Sequence, residues 1–262
     1  MEQLLADLAP QAALFMLIAT RLSAMLAVAP VFSSRMIPVR LKAGLVILVS
    51  YIALPVVAAE GGTVPDGAIG FGILAMKEAI IGFALGLLAQ FLFAAVQTAG
   101  AFIDMSAGFA IAQTLDPTSN QSTSVLGRWY NLVAVAAFLA IGGHQLLVQG
   151  VVSSFTLAPP LSDPDIGLLV QGVLAHADDI LLMVVQIGAP IIAALLVTDV
   201  TLGVISRSVP QMNVFMVGMP LKIIIALGGS AILVPAFIGL TNSLTGRMFS
   251  DMSELMKAVG AG

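Results

Sequence analysis

Apolar positions along this chain gather into six long tracts, at 8–32, 43–58, 68–99, 129–152, 180–205 and 221–240, with connections of very unequal length between them. The hydrocarbon core of a bilayer takes about 20 residues of helix, and each tract meets or approaches that length. The apolar residues run on without the strict alternation of a barrel strand, so helix is the expected structure. The second tract is short, with Lys42 before it and Glu60 after it. The third is free of charge over 79–103, a stretch that reaches about 37 Å as helix. Pro30, Pro55, Pro190 and Pro235 fall inside tracts and predict kinks, since each removes a backbone donor.

The pattern changes after the sixth tract. Leu244, Met248, Met252, Leu255, Met256 and Val259 recur at steps of one to four residues, with Arg247, Asp251, Glu254 and Lys257 between them. This predicts an amphipathic helix, either lying in the headgroups or docked on another subunit.

Composition fixes the class. Of 262 residues, 59% are hydrophobic and 9% charged, whereas a soluble domain carries about 25% charge to cover its surface. The chain is expected to be an all-α integral membrane protein. A net charge of -4 argues against nucleic acid, which needs clustered cations. The absence of Cys removes disulfides and thiolate metal sites. Glu2 and Asp7 stand where a cleavable signal peptide would be cationic, so the first tract is expected to be retained. Arg35, Arg40, Lys42, Arg128 and Arg207 flank the first, third and fifth connections, while Glu60, Asp66, Asp163, Asp165, Asp178 and Asp179 flank the others. The excess of cations places the odd connections in the cytoplasm and both termini outside.

Charges inside apolar tracts are costly and suggest function. Arg21, Lys77, Glu78 and Asp199 are the candidates. One reading is a proton or ion path through Glu78 and Asp199. The other is that each charge is neutralised by a neighbouring helix or subunit and holds a bundle together. His144 lacks nearby metal-ligating companions and reads as a hydrogen-bonded packing residue. Gly82 and Gly86 permit close helix approach. Met212, Met216 and Met219 either line a deformable apolar constriction or simply pack.

Residues 100–124 form the most unusual connection. Half of it is apolar enough for burial, yet Gly100, Gly108 and Pro117 are expected to stop a simple helix. Irregular backbone at membrane depth survives only inside protein or beside a watery cavity, so the segment is either a pore-occluding loop or a plain connection. Nucleotide-binding, nucleophile-elbow and zinc-protease motifs are absent. Neither an enzyme nor a cofactor is expected.

Four segments in register carry a resemblance across essentially the whole chain. They are Arg21 with Pro30-Val31-Phe32 and Ile37-Pro38-Val39-Arg40; Glu78 with Gly82 and Gly86; Gly100, Gly108 and Asp116-Pro117; and Arg207 with Pro210-Gln211-Met212-Asn213 and Gly218-Met219-Pro220. Together they resemble the FliR family, whose virulence-secretion counterparts are called SctT. That resemblance implies a core subunit of the flagellar type III export gate in the bacterial inner membrane, within the basal body. Its implied partners are FliP, FliQ, FlhB and FlhA, with unfolded flagellar proteins passing through the assembly. It implies a plug at Phe109, Ile111, Gln113, Leu115, Asp116 and Pro117, and a cytoplasmic entrance hairpin at Arg207, Pro210, Gln211, Met212 and Asn213. It also implies a FliP-like part over 1–172, a FliQ-like hairpin and tail over 173–262, and helices that in part stand clear of the bilayer. The competing reading is a small proton-coupled permease using Glu78 and Asp199. A third is a purely structural scaffold.

Overall fold

A computed structural model describes residues 2–34, 37–59, 67–109, 124–211 and 213–260. All regular structure among them is α-helical. The helices are α1 (Glu2–Val28), α2 (Val39–Ala59), α3 (Ala68–Ala107), α4 (Val125–Ala140), α5 (Gly143–Leu157), α6 (Ile166–Ser208) and α7 (Val214–Gly260). Five are long and apolar enough to cross a membrane, and α4 with α5 make a sixth segment bent by 67°.

Several elements differ from the sequence expectation. The fourth tract is broken, because Gly142 takes φ +74° between α4 and α5, a conformation that glycine adopts without a Cβ penalty. Pro30 lies beyond the end of α1 instead of kinking it, and Val31 follows with φ +69°. Gly100 does not stop its helix: α3 runs through it to Ala107, and the break comes at Gly108, with φ +91°. The amphipathic tail is no separate element but the last third of α7. At 40, 43 and 47 residues, α3, α6 and α7 are each about 60–70 Å long, twice a hydrocarbon core.

The chain divides into two compact units. The first comprises residues 1–91, 142–177 and 245–262. Its core is built from Leu17, Ile18, Leu22 and Met25 of α1, Ile81 and Leu85 of α3, and Leu147, Val151 and Phe155 of α5, all buried. Gly82 and Gly86 let α3 approach α1 backbone to backbone; a Cβ on Gly86 would stand 2.7 Å from the Met25 carbonyl oxygen. The tail from Thr245 onward belongs to this unit. Met248, Met252, Leu255, Met256 and Val259 are buried, packing beside Gly150 of α5 and Gly172 of α6. Asp165 N–H donates to the Val259 carbonyl at 3.3 Å. The apolar stripe was legible in the sequence, but it is covered by this chain's own helices, not by headgroups or a second subunit.

The second unit comprises residues 92–141 and 178–244. Phe93 meets Phe138 edge-on at 5.4 Å, and Tyr130 meets Phe237 at 5.1 Å. The Tyr130 hydroxyl donates to Ser230 Oγ at 3.2 Å. Gly100 lies against Gly127, where a Cβ would come within 2.5 Å of the Gly127 Cα, so α3 and α4 cross at paired glycines.

Candidate functional site

In the first unit, three of the charges within apolar tracts find partners. Arg21 and Glu78 are both fully buried. Arg21 Nε donates to Glu78 Oε2 at 2.6 Å and Nη2 donates to Oε1 at 3.0 Å. The remaining donors reach the Ser154 carbonyl at 3.0 Å, Ser154 Oγ at 2.9 Å and the Ala158 carbonyl at 2.9 Å. A guanidinium has five N–H bonds, and here each has an acceptor. The Phe155 ring lies 4.4 Å from the guanidinium carbon, adding a cation–π contact. Ser154 Oγ is itself fixed by donating to the Val151 carbonyl at 2.7 Å. Lys77, the residue before Glu78 on α3, donates to the Ser162 carbonyl. The sequence offered no signal for Ser154, whose role depends on a contact 133 residues away.

His144 departs from expectation. Its Nδ1 is buried with no hydrogen-bond partner among the described residues. The ring follows immediately on the Gly142 break, where α5 has only begun and offers no carbonyl one turn back to accept from it.

In the second unit, Asp199 pairs with Lys222, the ammonium lying 2.8 Å from Oδ1 and 3.0 Å from Oδ2. This pair joins α6 to α7 beside a cavity of about 380 Å³, lined also by Ala107, Gly108, Leu202, Phe215 and Met219. The last turn of α3 and the two helices of the hairpin therefore share one concavity.

The hairpin itself is exposed. Arg207, Pro210, Gln211 and Asn213 all face outward, and Met212 lies outside the described residues. Arg207 closes the last turn of α6, where a cation complements the helix dipole. Asn213 caps α7, its Oδ1 accepting the Met216 N–H at 3.3 Å. Of the predicted plug residues, Phe109 is half-buried just beyond Gly108. Ile111, Gln113, Leu115, Asp116 and Pro117 lie outside the described residues.

Ser124 caps α4 by accepting the Gly127 N–H at 2.7 Å and donates its own hydroxyl proton to Asp104. The Asp104 carboxylate, 3% exposed, also accepts the Leu126 N–H at 3.2 Å. An anion at a helix N-terminus is favourable through both hydrogen bonds and the helix dipole. Residues 104 and 124 are thus tied together at the base of the 110–123 segment. Asp104 had no assigned role in the sequence reading. The available signals were a carboxylate in an apolar run and a serine immediately before the next one. Asp104→Ala strands the Leu126 N–H and is expected to lower unfolding free energy by about 1–3 kcal/mol. Asp104→Asn, which keeps an acceptor, should fall in between. Denaturant titration in mild detergent checks this.

Residues 12–248 match the family model of bacterial export proteins, family 1. The chain is 29% identical to the flagellar biosynthetic protein FliR of Bacillus subtilis over 94% of its own length and 95% of the relative's. It is 30% identical to FliR of Escherichia coli over 90% of each chain. It is 27% identical to the surface presentation of antigens protein SpaR of Shigella flexneri, over 67% of this chain and 72% of the relative.

Proposed function

Starting from the fact that the chain belongs to the FliR family of bacterial export proteins, family 1, we propose that it is a core subunit of the flagellar type III export gate. The observation that carries this reading is similarity to the two FliR relatives over nine-tenths or more of the chain. In the proposal it sits in the bacterial inner membrane at the flagellar basal body. It assembles with FliP and FliQ into the channel for unfolded flagellar proteins and associates with FlhB and FlhA. Residues 1–172 are the FliP-like part and 173–262 the FliQ-like part.

Two structural features support a channel role. Helices twice the length of a hydrocarbon core suit a conduit that stands partly clear of the bilayer. The cavity beside Asp199 and Lys222 brings the α3 terminus, from which the proposed plug departs, together with the α6–α7 hairpin proposed as the entrance. A closed conduit must stop ions while polypeptide waits. In this reading Phe109, Ile111 and Leu115 supply a soft apolar seal and Gln113, Asp116 and Pro117 shape its backbone. The Ser124–Asp104 hydrogen bond holds the two helices that flank the segment together. No observation favours the permease reading. Glu78 and Asp199 are each already paired with a cation inside separate units.

The test is deletion of residues 110–116 in cells that assemble the complete apparatus. The expected result is normal assembly with an ion leak, seen as loss of membrane potential by a voltage-sensitive dye. An apparatus that assembles fully and stays ion-tight without these residues removes the plug assignment.

A further inference from the structure

The first unit carries a second concavity, of about 440 Å³, between the end of α1 and the start of α2. Leu26, Ala27, Ala43, Val46 and Ile47 line it, and Lys42 stands among them. Lys42 Nζ donates one of its three N–H bonds to the Ser34 carbonyl at 2.9 Å, which holds the ammonium at the groove. Arg40 is exposed one residue away along the chain from Leu41. These are the only charges in α2, and both lie in its first turn.

The dimensions give the arrangement meaning. At 21 residues, α2 is about 31 Å long and matches a single hydrocarbon thickness. Where α2 crosses the bilayer, its first turn falls at headgroup level. From Val39 to Ile47 the groove descends about 12 Å at the helical rise, the depth of the upper part of an acyl chain. The result is a largely apolar trough with Lys42 in its lining and no acidic side chain there, and with the long Arg40 side chain exposed in the same helical turn outside the lining. It matches a molecule with a negative head and a hydrocarbon tail. A protein segment would need complementary groups along the trough, and the trough offers charge only at its mouth.

We propose that this α1–α2 groove is a binding site for an anionic phospholipid, its phosphate on Lys42 and Arg40 and one acyl chain lying against Ala43, Val46 and Ile47. This goes beyond the export role and does not depend on it. The lipid ties two helices of one unit together at the membrane surface and sets their depth.

Native mass spectrometry of the full chain, purified in mild detergent, tests the site with phosphatidylglycerol and phosphatidylcholine of identical chains. Two cations near a membrane surface favour the anionic lipid by about thirtyfold, and retained adducts should show that preference. The R40Q/K42Q variant should bind both lipids alike. Ala43 is exposed, so A43W should fold normally yet lose adducts of both by filling the trough. Equal retention of both lipids by the unaltered chain overturns the proposal. So does a phosphatidylglycerol preference that survives R40Q/K42Q, or lipid adducts unaffected by A43W. If A43W instead abolishes co-purification of another export subunit and leaves lipid adducts intact, the groove is a protein contact. Displacement of phosphatidylglycerol by inorganic phosphate at equal concentration would mean that the cations bind phosphate without the chain.

Discussion

Glu78→Ala is expected to lower the unfolding free energy of the chain by about 3–5 kcal/mol, the usual cost of leaving one partner of a buried ion pair behind. Two of the five guanidinium N–H bonds lose their acceptor, and the cation keeps only the neutral oxygens of Ser154 and Ala158. Folded proteins hold a margin of about 5–15 kcal/mol, so a sharp fall in yield of folded chain should accompany the change. Arg21→Lys should damage the chain nearly as much, because an ammonium offers three donors and no planar fork for the carboxylate. The informative comparison is Arg21→Met with Glu78→Leu. Removing both charges leaves no orphan among the pair, and most of the lost stability should return. Denaturant titration in mild detergent gives the values for the three variants and the original chain. A Glu78→Ala chain as stable as the original would mean that water reaches the pair, contrary to its burial.

Gly82→Leu is expected to match or exceed that loss. A Cβ at this position would overlap the Arg21 carbonyl group, with backbone carbon 2.9 Å away. Backbone cannot rotate aside as a side chain can, so α1 must move off α3. Overpacking alone costs about 1–3 kcal/mol. Here it also draws Arg21 away from Glu78, four residues back on the same helix. The two lesions act on one contact, so Gly82→Leu and Glu78→Ala combined should fall well short of their sum. Gly72→Ala is the control within α3. Nothing lies within 4 Å of its Cβ, and alanine is the better helix former by about 1 kcal/mol. Equal damage from Gly72→Ala and Gly82→Leu would show that general helix perturbation, not the crossing, is responsible.

Much of the fold was legible because it rests on local, periodic chemistry. Continuous apolar runs placed the helices, and the three- and four-residue rhythm after Leu244 identified a buried face correctly. What covers that face was not legible, since Gly150 and Gly172 come into play only through tertiary packing. The break at Gly142 was hidden for a related reason. A Gly-Gly pair is tolerated in many membrane helices, and only the conformation at Gly142 decides between a bend and a straight span. Gly100 gave the reverse error. It looked like a terminator, but its missing side chain serves the crossing with Gly127. Among candidate site residues, the charges of Arg21, Glu78 and Asp199 stood out against their apolar surroundings. Their partners Ser154 and Lys222 did not, because a serine or a lysine near a helix end has no distinctive periodicity.

The first structural unit unites the opening 91 residues with the closing 18. Val259, nearly the last residue described, contacts Asp165 through its carbonyl. The unit therefore remains open while the ribosome is still making the chain, however early its opening helices enter the membrane. Closure must wait until residues 245–260 have left the ribosome. Until then the face of α5 that receives Phe249 and Met252 is bare, available to insertion factors or proteases.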